Sequence, residues 1–530
     1  MPTRCGPRRA ARYRWLGALG LLAGLIAGSA SAAVLRKGNG PEVDSLDPQR
    51  ARGVPAANVL RDLYEGLVDT APDGRLRPAA AQGWTLSEDG RAYTFELREN
   101  LRWSNGDALT AEHFAAGLRR AVDPATASQY GQLLAPIRHA EAIRRGERAP
   151  AELGVEVLGP RRLRIHLHQP TPYFLGLLTH ATSYPRHPQA GLQAPPSNGA
   201  YRLHEHVLQS HLTLHRNPHY WNAAAVRIDT VQYWVTEDVN AEFQRYRAGG
   251  LDWTEQVPAG QIERLRRDYP DQLQVHPYLG LSYYGLNLDH APLRDHPGLR
   301  RALTLAIDRE LLVQRVLGNG EAPAYGFVPL AMRGYPALRP DWADWPRERR
   351  LAAARAALAA DGFGAQRPPP RLQIRFNTHD DHRKVAVVVA AMWRQWLGIE
   401  TELVNEEARV FFQNRRERRL TQIFRAAWIA DFDDPASFLE LLRADNPLNN
   451  TGHADPGYDA LLDAAAAEGD AGRRLALLQQ AEQRLIEALP LIPLNSYVSK
   501  RLVTPRLRGW QGNAMDQHYS KDAWFEEARP

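Results

Sequence analysis

Between residues 371 and 439 the chain reads RLQIRF (371–376), DHRKVAVVVAAMWRQWL (381–397), IETELV (399–404), EEARVFFQNRRE (406–417), TQIFRAAW (421–428) and IADFDDPASFL (429–439). The first and third segments alternate in hydropathy and the fifth is strand-like. The second is long and largely apolar, and the fourth has helical spacing. This is a βαβαβ order, and it predicts an α/β fold with parallel strands and helices packed on the sheet. In such sheets ligands bind beyond the carboxyl ends of the strands. The loops leaving those ends are 377–382, 405–407 and 429–434, so His382, Glu407 and the acidic run 430–434 are expected along one edge. An acidic crevice suits a cationic group such as an ammonium.

Acidic residues after strands also serve as helix N-caps, and Asp433 or Asp434 before Pro435 fits that role. Asp431 lies earlier, beside Trp428 and Ile429. A carboxylate is seldom buried there without a partner, so it is either ligand-facing or solvated. The cluster His379-Asp380-Asp381-His382 has two readings, metal ligands or a polar loop capping a helix.

The 530 residues carry 66 Lys plus Arg against 60 Asp plus Glu, a net charge of +6. The excess is local. Arg4, Arg8, Arg9, Arg12 and Arg14 precede any acidic residue, and removing these five leaves 61 basic against 60 acidic groups. A broad basic surface of the kind that tracks phosphates is excluded, so no nucleic-acid partner is expected. The arginines are followed by an apolar run, 15–27, and by Ala30-Ser31-Ala32, which together make an export signal over residues 1–32. The run falls short of the ~20 residues that cross a bilayer. The single cysteine, Cys5, lies inside this signal, so a mature protein without disulfides or a lipid anchor is expected.

Catalytic signatures are absent from the sequence. It has no GxSxG elbow, no GxxxxGK[ST] loop and no HExxH, and one cysteine cannot make CxxC. Residues 84–101 predict a hairpin with Asp89-Gly90 as its turn and YTFEL (93–97) as its second strand. Thr110 is placed to cap a following helix that carries Glu112 in its first turn. Residues 185–196 and 366–370 read as linkers.

Several blocks resemble one family. YTFELRENLRWSNGDALTAEHF (93–114), SLDPQRARGVPAANVLRDLYEGL (45–67), SNGAYRL (197–203), RNPHYWN (216–222), PAYGFVP (323–329) and RAAWIADFDDPASFL (425–439) are similar, in the same order, to the periplasmic oligopeptide-binding proteins of ABC importers. The resemblance covers the chain from about residue 36 onward. It implies a two-lobed periplasmic binding protein fold with an extra domain, closing like a hinged clamp. Residues 33–64, 183–278 and 496–530 would form the first lobe, 65–182 the extra domain and 279–495 the other lobe.

By the same resemblance, Asp431 holds the peptide α-ammonium. Ala427, Trp428 and Ile429 on one lobe, and Gly53 and Val54 on the other, bond the extended peptide backbone like added strands. Trp428, Tyr130 and Tyr284 wall side-chain pockets. Arg415 and His382 meet the carboxylate end, with Arg425 facing the ligand beside them. Guanidinium holds its charge at any working pH, whereas histidine does not.

The sequence departs from the family pattern at several points. Arg52 stands where well-known members carry glutamate, Leu317 where a lysine serves longer peptides, and Ala408 where a tryptophan walls a pocket. A disulfide pair of some members falls on Gly280 and Ile429. The expectation is therefore a non-enzymatic, cofactor-free, monomeric periplasmic receptor for short peptides that works with membrane permease subunits. The alternatives are a receptor for a murein peptide or a non-peptide solute, and a secreted metal-dependent hydrolase built on residues 379–382.

Overall fold

The computed structural model describes residues 32–189 and 195–526. The expected export signal, apart from Ala32, and the middle of the 185–196 linker lie outside the described residues.

The βαβαβ order is present. Leu372–Asn377, Thr401–Glu406 and Ile423–Ile429 are parallel strands, joined by the helices Asp380–Leu397 and Ala408–Glu417. Leu372–Asn377 lies between the other two, so the chain steps outward and then back across it. With right-handed crossovers, that reversal sends the two helices to opposite faces of the sheet. Packing agrees: Ala386, Val389 and Trp393 of the first helix share a core with Leu372 and Ile374, while Phe411 of the second packs on Phe424 and Ala426. Three more strands complete a six-stranded sheet in the order Ala322–Pro323, Leu491–Leu502, Leu273–Leu286, Ile423–Ile429, Leu372–Asn377, Thr401–Glu406.

The other lobe holds two four-stranded sheets. In one, Val34–Gly38 runs parallel to Thr230–Trp234, followed by His211–Arg216 and Tyr201–Val207. The second contains the expected hairpin, Ala81–Leu86 with Ala92–Leu97, turned at Gly90 with φ of +68°, plus Arg162–His166 and Val155–Gly159. The helix Ala111–Val122 starts after Thr110, whose N–H donates to His113 Nδ1 at 3.0 Å. One apolar core, including Leu60, Phe95, Phe114, Leu163 and Tyr233, runs through both sheets.

Leu273–Leu286 and Leu491–Leu502 cross between the lobes as an antiparallel pair. Their outer end is fastened where Leu502 N–H donates to Thr254 Oγ1 and its carbonyl accepts the Thr254 N–H, both at 2.9 Å. Their inner end belongs to the six-stranded sheet. Register breaks between Pro277 and Leu281 and between Ser282 and Tyr283 fall midway along the pair.

Candidate functional site

A cavity of about 700 Å³ lies between the lobes. Gly53, Val54, Tyr130 and His180 line one side, Ile429, Ala430 and Asp431 the other, and Tyr278 and Arg501 of the crossing strands form part of the wall. Gly53 and Val54 are not strand. They begin the helix Gly53–Leu63, with Gly53 at φ +70° and Val54 exposed. Pro55 suits a first helical turn, whose N–H groups have no partner inside the helix in any case. This segment therefore offers free donors to the cleft, but not a pairing edge. Tyr130 lies at the wall, its ring 4.7 Å from that of His180.

Asp431 follows the last residue of the Ile423–Ile429 strand by two positions, at the carboxyl end that the topology singled out. Its N–H donates to Ser437 Oγ at 3.0 Å, which fixes its backbone. Among the described residues its carboxylate takes part in no ion pair. Burial pushes its pKa up to about 6, with no other cause contributing. Desolvation disfavours the charged form, so a cation brought to this carboxylate gains more than it would in water. Its neighbours are engaged elsewhere: Asp434 pairs with Arg474 through two contacts of 2.8 Å, and Asp433 lies 3.5 Å from Arg333. Asp434 Oδ1 also accepts the Ala436 N–H, the expected capping role.

In the strand leading to Asp431, residues 425, 427 and 429 share one face, opposite Tyr284, Ser282 and Gly280 of the next strand. Arg425 and Ala427 are half-buried and Ile429 is exposed and reaches the cavity. Trp428 alternates to the other face and covers the core around Phe438 and Tyr458, with its indole N–H unpartnered. Tyr284 is a correction. It lies on the Arg425 face, but at the end covered by the helix Asp380–Leu397. There it is 1% exposed beside Trp393, inside the core and away from the cavity wall.

Arg425 lies close enough to act electrostatically on both Arg415 and His382. Arg425 donates to the Tyr497 hydroxyl at 3.0 Å. Arg415 lies 5.1 Å from the Phe412 ring centre and has a buried Nε without a partner. Burial lowers its pKa, Tyr283 offsets this, and Arg425 lowers it further. Among the described residues neither arginine has a carboxylate within ion-pair distance. His382 differs: burial, and then Arg425, push its pKa down to about 4, and its Nδ1 lies 3.2 Å from the Asn377 carbonyl. It is neutral at neutral pH and adds no charge to the arginines.

His379 caps the helix Asp380–Leu397, its Nδ1 accepting the Asp381 N–H at 3.2 Å, and Asp380 and Asp381 occupy the first turn. The capping reading of this cluster holds. Glu407 likewise accepts the Arg409 and Val410 N–H groups as a helix cap and is not a free edge carboxylate. Arg52 is exposed beside Gly53, Leu317 half-buried, and Ala408 opens its helix. The wall also contains Arg61, Glu255, Glu321 and Lys500, which carry no local motif in the sequence and are assembled only by the fold.

Two α/β lobes joined by crossing strands around a partly charged cleft define a solute-binding protein. Residues 75–450 match the model of the bacterial extracellular solute-binding proteins, family 5 Middle, and the chain belongs to that family. It is 33% identical to the periplasmic oligopeptide-binding protein OppA of Escherichia coli K12, over 97% of this chain and 98% of that one. It is 35% identical to a protein of the same organism named "Probable deoxycholate-binding periplasmic protein YgiS", over 93% and 94%. Among solved structures, the unliganded open form of the periplasmic murein tripeptide binding protein MppA is 34% identical. It superposes with a TM-score of 0.85 over 94% of this chain and 98% of that one.

Proposed function

We propose that this protein is a periplasmic receptor that captures short peptides for the permease subunits of an ABC importer. The lobe boundaries at 33–64, 183–278 and 496–530, 65–182, and 279–495, export by residues 1–32, and a monomeric state belong to this reading. The observation that carries it is the half-buried Asp431 carboxylate at the cleft, which among the described residues takes part in no ion pair. An ammonium supplied by a ligand would complete the pair, and charge-assisted hydrogen bonds of this kind are among the stronger ones. The Arg425–Ile429 stretch spans about 13 Å at 3.3 Å per residue, the length of an extended tetrapeptide. Arg425 and Arg415, which among the described residues have no carboxylate within ion-pair distance, are the charges that suit the other terminus. The OppA relative supports peptides as ligands, and the likeness to MppA supports a murein peptide as the second reading.

Calorimetry with tri- to pentapeptides, each free and N-acetylated, tests the reading, with murein tripeptide and deoxycholate as competitors. Free-amine peptides are expected to bind and acetylated ones to lose most of their affinity. Equal binding of both forms would remove the ammonium clamp, and deoxycholate displacing nothing but itself would leave the peptide reading standing. Native mass spectrometry of the protein as purified identifies any ligand it retains.

A further inference from the structure

The residue after Asp431 belongs to another part of the molecule. Phe432 is 9% exposed, and with Ala436 it packs into the apolar core built by residues 35–233, far from its own strand in sequence. Its ring stacks on Tyr173 with centroids 4.3 Å apart and planes 7° apart. The approach is close because residue 176 is glycine: a Cβ there would lie 3.3 Å from Phe432 Cβ. On its other side the same loop is tied to the 279–495 lobe by Asp434 on Arg474 and by the Asp431 N–H on Ser437. Arg333, which faces Asp433, also donates to the Asp73 carbonyl at 2.8 Å, a second tie to the sheet-bearing region around Tyr173.

We propose that Phe432, seated on Tyr173, is the positioning residue for Asp431. It holds the carboxylate dry and oriented at a contact both lobes share, so that the ammonium subsite is complete before the clamp closes. This rests on the reading of Asp431 given above and adds what sets its environment. The stack seats the residue next to Asp431 in the apolar core of the other lobe, and burial alone shifts the Asp431 titration. Of the charged groups nearby, Asp433 and Asp434 are occupied by Arg333 and Arg474, and Arg501 by Asp516 at 2.5 Å. None of them contributes to the Asp431 shift.

Two readouts test the proposal. Without ligand, the pH above which the unfolding-temperature difference between the wild-type protein and D431N stops growing and levels off reports the folded-state Asp431 titration. With ligand, calorimetry at pH 7.5 reports affinity for a free-amine tripeptide. F432A, paired with F432A/D431N, is expected to move the titration down by about one unit and to weaken the tripeptide about tenfold. G176A, which touches the loop only through Phe432, moves both in the same direction by less. F432Y keeps the stack and both wild-type values. A lower unfolding temperature in F432A and G176A with an unmoved titration would reduce Phe432 to a packing residue and overturn the proposal. Failure of the ammonium clamp shows separately, as equal affinity for free and acetylated peptide in the wild-type protein, and leaves the ligand-free readout intact.

Discussion

Gly280 stands directly opposite Ile429 on neighbouring antiparallel strands, and a Cβ on Gly280 would lie 2.4 Å from Cδ2 of Tyr497. These are the positions that the family resemblance pairs in a disulfide. Here the space of one half of that pair is taken by a tyrosine ring whose hydroxyl holds Arg425. G280A therefore displaces Tyr497 and releases Arg425. Overpacking of this kind costs about 1–3 kcal/mol. Urea denaturation and calorimetry should show lower stability together with weaker peptide binding, and a fully stable variant with unchanged affinity would contradict this arrangement.

D431N should bind free-amine peptides no better than acetylated ones, yet be more stable than the wild-type protein at pH 7.5. The folded pKa of Asp431, about 6, lies above the unfolded value, so its charge destabilises the fold above pH 6. That cost is relieved as pH falls from 6 toward 4, where both states become protonated. The shift corresponds to about 2–3 kcal/mol gained by D431N at neutral pH and lost across that window. Denaturant titrations at pH 4, 6 and 7.5 check the sign.

Peptide affinity should be greatest near pH 7, declining below pH 6 as Asp431 loses its charge and above about pH 8 as the peptide α-amino group loses its own. The slope approaches about tenfold per pH unit once the carboxyl is protonated in the free protein. An affinity that rises as pH falls would point instead to His382 gaining charge against a carboxylate.

R415A is expected to weaken binding of the peptides whose carboxylate reaches it, while H382A changes little at pH 7.5 because that ring is neutral there. Losing one partner of a buried ion pair costs about 3–5 kcal/mol. The affected lengths in a tri- to pentapeptide series locate the carboxylate. Uniform loss at every length would assign Arg415 a packing role.

D434A should separate the loop from its support. Asp434 and Arg474 are mostly buried and share two 2.8 Å contacts, so removing the carboxylate leaves a buried guanidinium uncompensated. Loss of both stability and affinity is expected, whereas the R474M/D434L pair should recover stability better than D434A alone. A double variant no more stable than D434A would show that the pair does more than neutralise charge.

Much of the six-stranded sheet was legible. Alternation in 371–376, 399–404 and 421–428, separated by helical spacing, marks three parallel strands and puts Asp431 beyond their carboxyl ends. The crossing strands were not. LQVHPYLGLSYYGL at 273–286 contains Pro277 and two glycines, which read as breakers. Pro277 is tolerated because it lies at the register break. Gly53-Val54-Pro55 opens a helix on glycine at positive φ, a start that leaves no periodic signal in the sequence. Tyr284 shares a face with Ser282 and Gly280, and only the docked helix, a long-range partner, buries it in the core. Phe432 gave no sign either. Its role depends on Tyr173, some 260 positions earlier in the chain.

The crossing pair of strands has a mechanical consequence. Two chains hydrogen-bonded along their length resist sliding and shearing past each other, but they fold readily across a line where that bonding is interrupted. The interruptions between Pro277 and Tyr283 mark such a line. On the function proposed above, the lobes swing about that line, and a peptide is met by the same closing stroke whatever its side chains.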